Sequence, residues 1–182
     1  MSTSNEKRLE RQKLHSIRKE LFLDEIKKKK IANQVFFWLD QSPWKTIGFY
    51  YPIYEEIDLF PCIKLWSSLD KSRQASLPVI ENNTLIFKGW STQTKMTYGY
   101  KGIPEPHGTQ EIKPEVILIP CIGYDKSKFR LGYGGGWFDR YLACHRNIKT
   151  VGICYERCLL DSIHPQPHDI PMDWIITENQ IF

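Results

Sequence analysis

Apolar residues recur at intervals of three and four positions between about Lys7 and Leu39. They are Leu14, Ile17, Leu21, Ile31, Val35 and Phe36. This spacing brings them onto one helical face and predicts an amphipathic helical segment. Aspartate is a preferred residue at helix starts, so Asp24 predicts a break at which a second helix begins.

The next segment changes from strand-like to helix-like patterning. A strand is predicted from Thr46 to Tyr51, where Pro52 ends it. Asp58 is predicted to be the N-cap of a helix that runs through Ile63, Leu65 and Trp66.

Short strand-like runs follow in the middle of the chain. Residues 75–80 and 84–87 flank the turn-forming sequence Glu81-Asn82-Asn83 and predict a hairpin. Residues 90–114 are rich in Gly, Pro, Thr and Tyr and predict a long connection of the kind that binds ligands.

The uninterrupted apolar run Val116–Pro120 has the length of a strand that is covered on both faces, as in a parallel sheet. A helix is predicted from about Trp137 to Arg146, with strands at 150–154 and 174–177. This alternation predicts an α/β fold of three layers, with a mainly parallel central sheet flanked by helices. The 182 residues fit one Rossmann-like domain over residues 1–182.

Charge and composition narrow the class of protein. The net charge is +4, and the first thirty residues carry much of the lysine and arginine, which indicates either an anionic partner or a solvated helix face. No stretch approaches the roughly 20 apolar residues that span a bilayer, and residues 1–10 lack the apolar core of a signal peptide. We therefore expect a cytoplasmic protein without a membrane partner.

Cysteine spacing gives no metal or disulfide motif. The five cysteines are odd in number and include no Cys-x-x-Cys pair, and no second Cys/His pair stands at zinc spacing from Cys144-His145. We interpret all five as reduced core residues.

The glycine-rich run from Arg130 to Asp139, between the buried strand and a helix, carries the candidate chemistry. Four glycines within residues 132–136 let the backbone approach an oxyanion closely, and the helix N-terminus adds partial positive charge. Arg130 can pair with phosphate oxygens, and Asp139 can hold a metal ion. The alternatives are a flexible turn and an acid that merely complements the helix dipole. The run matches neither the Walker nor the dinucleotide-binding pattern.

Residues 120–125, Pro-Cys-Ile-Gly-Tyr-Asp, precede the run 130–139, Arg-Leu-Gly-Tyr-Gly-Gly-Gly-Trp-Phe-Asp. The combination resembles the 5-formyltetrahydrofolate cyclo-ligase family, also called 5,10-methenyltetrahydrofolate synthetases. Residues 56–58, 102–106 and 168–173 are also similar to family motifs. Departures from the family pattern are Glu10, His15 and Lys128. If the turn at Lys128 has a positive φ, the lysine costs about 1 kcal/mol there.

The resemblance implies a ligase of folate one-carbon metabolism that uses ATP and Mg²⁺ to convert 5-formyltetrahydrofolate into 5,10-methenyltetrahydrofolate, ADP and phosphate. It implies nucleotide binding by Lys7, Arg11, Arg130, Leu131, Gly132, Tyr133, Gly134, Gly135, Gly136, Trp137 and Phe138. The magnesium-binding candidates are Asp139 and Asp169, and the folate-binding candidates are Tyr51, Glu56, Tyr98 and Tyr100. Phosphoryl transfer requires positioning and charge neutralisation, so no protein nucleophile is expected.

Two other classes of function remain open at this point. Open α/β sheets with a phosphate-binding loop also occur in sugar-phosphate isomerases, which do not use ATP. The basic first helix and the tyrosines could instead form an RNA-binding surface, which would leave the glycine-rich run without a role. We favour the small-molecule enzyme, expect no nucleic-acid partner, and predict a monomer.

Overall fold

The computed structural model describes residues 3–182, and Met1 and Ser2 lie outside it. The chain begins with two helices, α1 (Thr3–Phe22) and α2 (Glu25–Asp40). Between them, Oδ1 of Asp24 accepts hydrogen bonds from the amides of Ile26 and Lys27, both at 3.1 Å. This geometry satisfies two of the free N–H groups at the start of α2, so the predicted break and its cap are confirmed.

The predicted apolar face of these two helices is the buried one. Its fully buried members are Leu14, Leu21, Ile31, Val35 and Leu39, with Ile17 and Phe36 packed at the margin. Among residues 3–182, no helix combines the length and the apolar character that crossing a bilayer requires.

The remaining elements are listed here in chain order. They are β1 (Thr46–Gly48), α3 (Phe60–Ser68), β2 (Gln74–Glu81), β3 (Thr84–Trp90), β4 (Met96–Tyr98), β5 (Pro104–Pro106), β6 (Val116–Pro120), β7 (Gly123–Asp125), β8 (Arg130–Leu131), α4 (Trp137–Cys144), β9 (Lys149–Ile153), β10 (Leu159–Leu160) and β11 (Trp174–Ile176). Short 3-10 turns lie at Tyr100–Gly102 and Glu156–Cys158.

Six strands form the central sheet, in the order β11-β9-β6-β1-β2-β3. Neighbouring strands are parallel except for β2 and β3. Residues 116–119 of β6 are completely buried, as their uninterrupted apolar run predicted. The chain therefore has a mixed α/β fold with a mainly parallel central sheet flanked by helices, while β10-β7-β8 and β4-β5 form two small accessory sheets.

Helices α3 and α4 cover opposite faces of the sheet. The connection from β1 to β2 and the connection from β6 to β9 run in opposite directions across the sheet, and right-handed crossovers then require opposite faces. The packing agrees, because Phe60 of α3 contacts Phe49, which follows β1, with ring centroids 5.1 Å apart, whereas Tyr141 of α4 contacts Phe87 of β3 at 5.3 Å. The strand order thus reverses between β1 and β6, and a crevice opens at their carboxyl ends.

The hairpin of β2 and β3 is confirmed. Its turn residues Asn82 and Asn83 have φ angles of 48° and 60°, the left-handed conformation that a two-residue hairpin turn demands and that asparagine tolerates. The backbone of Lys128 is also in the left-handed conformation, with a φ of 64°. The turn at Lys128 therefore has the positive φ at which a lysine is strained.

Several boundaries differ from the sequence predictions. The N-cap of α3 is Leu59 rather than Asp58, although Oδ1 of Asp58 still accepts the Phe60 amide at 2.9 Å. The predicted long connection at 90–114 contains the hairpin of β4 and β5. Two of the three residues of β5 are prolines, which donate no ladder hydrogen bonds, and this composition concealed the strand.

The cysteine prediction holds for four of the five residues. Cys62, Cys121, Cys154 and Cys158 are free and buried, whereas Cys144 is exposed. The prediction was wrong for Cys144. Tyr141 and Leu142 form the buried face of α4, whereas Cys144 is the last residue of the helix and faces solvent.

Candidate active site

The glycine-rich segment, residues 132–136, links β8 to the start of α4. Gly134 and Gly136 have φ angles of 92° and 63°, which L side chains rarely adopt. Gly136 is the N-cap of α4 and supplies no side-chain acceptor to the first turn. The first amides of α4 therefore face the segment without a capping side chain, as an anion-binding helix start requires.

Helix α1 places a cation beside this segment. Nε of Arg11 donates to the carbonyl oxygen of Gly132 at 2.7 Å. Burial lowers the pKa of Arg11, and the nearby carboxylate of Asp169 opposes part of that effect. On the other side of the backbone the segment is open, because a Cβ added to Gly132 would meet nothing within 4 Å.

Two ion pairs hold the predicted metal-binding acids. Nη2 of Arg130 lies 2.8 Å from Oδ2 of Asp139, and Nζ of Lys7 lies 2.5 Å from Oδ2 of Asp169. Arg130 is buried, and a buried cation requires such a partner. Its Nη1 also donates to the carbonyl oxygen of Ile170 at 3.2 Å.

The side chain of Asp139 contacts the backbone of the residue that follows Asp169. Oδ1 of Asp139 accepts the amide of Ile170, the residue after Asp169, at 3.3 Å. Burial acts to raise the pKa of Asp169, but the hydrogen bond from the Gln166 amide and the ammonium of Lys7 outweigh it, so the pKa falls below its ordinary value. Asp169 is therefore a carboxylate at neutral pH.

This donor set fits magnesium. Mg²⁺ is usually bound through one or two carboxylates and completes its shell with phosphate oxygens and water. Within residues 3–182 no group of three or more His, Cys, Asp or Glu side chains could hold a metal ion. Asp139 and Asp169 offer two carboxylates to such a cation.

A cavity of about 800 Å³ opens from the glycine-rich segment along α4. Its walls come from Gly134–Gly136, from the outer side of α4 and from residues 167–173. Arg140 lies at its edge, with the guanidinium 4.5 Å from the centroid of the Trp137 ring. Further basic groups on its walls are His145, Arg146, Lys149 and His168.

Glu56 lies at the crevice between the carboxyl ends of β1 and β6. Its Oε2 accepts the amide of Ile53 at 2.8 Å, and the side chain is buried. Burial raises the pKa of Glu56 to about 7, although the Ile53 amide, Arg18 and Tyr133 all act to lower it. A small cavity of about 10 Å³ adjoins this carboxyl group.

The other predicted folate residues are more scattered. Tyr51 is half-buried and contacts Phe60, with centroids 5.4 Å apart. Tyr100 contacts Trp137 at 5.4 Å and so lies beside the glycine-rich segment. Tyr98 is 82% exposed on β4, and no ring contact among the described residues joins it to the site.

Within the glycine-rich run, the side chains differ in what they can reach. Leu131 is buried in the core, so only its backbone is available, and Trp137 and Phe138 are half-buried. Tyr133 points its hydroxyl towards the crevice, where Nη1 of Arg18 donates to it at 3.0 Å. The sequence analysis placed neither Arg18 nor Arg140 among the site residues, because nothing in their spacing indicates these contacts.

These features define the class of the molecule. It is an α/β protein with an open, cation-flanked glycine segment near the carboxyl edge of a parallel sheet, which is where folds of this class bind ligands.

Comparison with known proteins identifies the family. The model of the 5-formyltetrahydrofolate cyclo-ligase family matches residues 3–178, and this chain belongs to that family of ATP-using ligases of folate metabolism. A 5-formyltetrahydrofolate cyclo-ligase from Mycoplasma pneumoniae is 29% identical over 151 residues, which cover 82% of this chain and 83% of the relative. The Escherichia coli K12 enzyme of that name is 26% identical over 148 residues, which cover 75% and 80% of the two chains.

A solved structure agrees in fold. The NMR structure of Aquifex aeolicus 5,10-methenyltetrahydrofolate synthetase matches with a TM-score of 0.77 and 28% identity, over 96% of this chain and 91% of that one. The resemblance stated from the sequence motifs is therefore confirmed.

Proposed function

We propose that this chain binds ATP with Mg²⁺ at the glycine-rich segment and cyclises 5-formyltetrahydrofolate to 5,10-methenyltetrahydrofolate, releasing ADP and phosphate. The observation that supports the site is that two ion pairs, Arg130–Asp139 and Lys7–Asp169, lie beside an open glycine backbone. This arrangement supplies amides and cations for phosphate together with carboxylates for a divalent cation.

The nucleotide lies with its phosphates against the backbone of residues 132–138. Arg11 and Lys7 from α1 and Arg130 from β8 neutralise phosphate charge from two sides. The cavity along α4 is continuous with the segment, and its 800 Å³ has the volume of a small-molecule site, so it accommodates the nucleoside.

Asp139 and Asp169 hold the magnesium ion in this proposal. When bound with the nucleotide, Mg²⁺ neutralises the charge that develops on the transferred phosphoryl group. The chain would supply its two carboxylate ligands, and the lowered pKa of Asp169 keeps that carboxylate ionised at neutral pH.

The folate lies at the crevice beside Glu56 and Tyr51, with Tyr100 and Tyr98 on the side of the β4–β5 hairpin. The formyl oxygen attacks the γ-phosphorus, the bond to the β-phosphate oxygen breaks, and ADP leaves. The lone pair of N10 then attacks the formyl carbon and N10 gives up its proton. The C–O bond breaks, and the formyl oxygen leaves as part of hydrogen phosphate, which carries away that proton. Both steps require positioned reactants and no protein nucleophile.

We propose further that residues 1–182 form a single Rossmann-like domain that acts as a cytoplasmic monomer. The reversal of strand order between β1 and β6 supports the fold detail. Four buried free cysteines suit a reducing compartment, and all proposed ligand groups come from one chain.

The test measures the absorbance of the methenyl product from purified chain with 5-formyltetrahydrofolate, with and without ATP and Mg²⁺. We expect product only when all three are present. Asp139→Ala should lose at least about 100-fold in turnover while its circular dichroism at 25 °C still shows a folded protein, although its unfolding temperature should fall because buried Arg130 loses its partner. Arg130→Ala should raise the KM for ATP and also weaken the fold, because Asp139 loses its buried partner.

The alternatives give different results. Product formation without ATP, or full activity of Asp139→Ala, would refute the proposal. An isomerase would show no ATP dependence, and an RNA-binding protein would bind RNA with steep salt dependence that falls when Lys27 to Lys30 are neutralised.

A further inference from the structure

We infer that Arg18 and Tyr133 are positioning residues. They join the glycine-rich segment to the carboxyl group of Glu56, so that the two substrates bind cooperatively. This inference rests on the proposed function, because it assigns the glycine-rich segment to ATP and Glu56 to folate. It concerns a contact, between Arg18 and Tyr133, that neither the motif nor the spacing of the sequence indicated.

The contact is a chain of three groups from three distant parts of the sequence. Arg18 comes from α1, Tyr133 from the glycine-rich segment, and Glu56 from the loop after β1. Nη1 of Arg18 donates to the Tyr133 hydroxyl at 3.0 Å, and Arg18 and Glu56 line the same small cavity. Burial and then the nearby Glu56 carboxylate raise the pKa of the Tyr133 hydroxyl. Because Arg18 can only donate, the hydroxyl accepts from Arg18 and has its own proton available for the carboxylate.

Burial makes these contacts specific. Arg18 is only 3% exposed and Glu56 only 5%, and charges are rarely buried unless they are paired. Burial acts to lower the pKa of Arg18, but the Tyr133 hydroxyl and the charge of Glu56 outweigh this effect. The pKa of Arg18 is therefore raised. The buried guanidinium of Arg18 therefore has one position, and it orients the Tyr133 hydroxyl and the Glu56 carboxyl group.

Tyr133 is 43% exposed. Its ring makes a tilted contact with Tyr54, with centroids 5.6 Å apart, and the Arg18 guanidinium lies 5.8 Å from its centroid. Its hydroxyl is therefore the part of the side chain that the fold constrains. Between Gly132 and Gly134, the hydroxyl anchors a backbone that otherwise has wide conformational freedom.

Coupling follows from this anchor. A folate that covers Glu56 excludes water and strengthens the hydrogen-bond chain, because such bonds are stronger at low local dielectric. The anchored Tyr133 then holds the glycine-rich segment in one conformation, and the nucleotide meets a segment that is already ordered. By linkage, the nucleotide must increase folate affinity by the same factor.

The experiment measures this coupling directly. The dissociation constant of 5-formyltetrahydrofolate is determined by calorimetry with and without saturating magnesium and a non-hydrolysable ATP analogue, and the reverse titration checks reciprocity. We expect a wild-type coupling factor of at least about fivefold. In Tyr133→Phe it should fall to within about twofold of unity, because only the hydroxyl is lost.

Tyr54→Phe is the matched control, since it alters a neighbouring exposed tyrosine of the same ring contact and keeps that contact. It should retain the wild-type coupling factor. Arg18→Gln keeps a donor but loses the charge, and it should reduce the coupling in the same direction as Tyr133→Phe. If Arg18→Gln fails to fold, Tyr133→Phe alone decides, because Tyr133 is 43% exposed and the variant keeps its ring.

A wild-type protein without coupling, or a Tyr133→Phe variant that keeps it, would overturn the inference while methenyl product still forms. Absence of product from the wild type would instead identify a failure of the proposed function. Reduced coupling in Tyr133→Phe with an unchanged unfolding temperature supports the positioning role, since a merely structural hydroxyl would lower stability and leave the coupling factor unaltered.

Discussion

Replacing Glu56 with glutamine should change how the stability of this protein depends on pH. Glu56 is buried, and burial raises its pKa from 4.5 to about 7. The native state therefore binds this proton more tightly than the unfolded chain does. As pH rises from about 4.5 to 7, the unfolded chain loses the proton while the native state retains it, so Glu56 makes the free energy of unfolding fall across this window.

The magnitude follows from the two pKa values. A change from 4.5 to about 7 corresponds to about 3 kcal/mol, which the wild type loses between about pH 4 and pH 8. Glutamine carries no proton to lose. The free energy of unfolding of Glu56→Gln minus that of the wild type should therefore rise by about 3 kcal/mol over the same range, because all other titrations cancel in the difference.

Urea unfolding followed by tryptophan fluorescence at several pH values measures this difference. Glu115→Gln is the control, because hydrogen bonds from the amides of Lys45 and Thr46 lower the pKa of Glu115, and its difference should slope in the opposite direction. A change of less than about 1 kcal/mol for Glu56→Gln would refute the reasoning, since it would mean that water solvates this carboxylate in the native state.

Three further predictions test other parts of the structure. Gly132→Ala should leave the unfolding temperature unchanged, because its Cβ would meet open space, yet raise the KM for ATP at least about tenfold if phosphate approaches this backbone; an unchanged KM would contradict the proposed phosphate position. Asp24→Ala should lower the free energy of unfolding by about 1 kcal/mol through loss of the α2 cap, without altering KM, as denaturant titration would measure. A thiol reagent should modify Cys144 rapidly in the native protein and the four buried cysteines only after unfolding, and mass spectrometry would reveal any other order.

Local signals account for most of what the sequence predicted correctly. The Asp24 cap, the Asn82-Asn83 turn and the buried strand β6 each depend on residues within a few positions of one another. The same holds for the glycine-rich segment, whose motif is continuous and which the fold places before α4 as expected.

Contacts between distant residues could not be predicted in this way. Arg18 and Tyr133 are 115 positions apart, and their hydrogen bond depends on how α1 lies across the carboxyl edge of the sheet. The same applies to Lys7 and Asp169, which are 162 positions apart; family resemblance nominated both residues but could not indicate that they pair with each other. The β4–β5 hairpin was missed for a local reason, because proline-rich strands lack the usual strand composition.

Under the proposed function, the two ion pairs at the glycine-rich segment would also discriminate between forms of the nucleotide. Arg130 and Lys7 already have partners in Asp139 and Asp169, so a naked polyphosphate that recruited these cations would leave two carboxylates facing its own negative charge. A polyphosphate that carries a divalent cation meets no such repulsion, since each partner in both pairs finds an opposite charge on the incoming complex. In the proposed site, the charge arrangement of the unliganded protein would therefore favour the metal-loaded nucleotide without a moving gate.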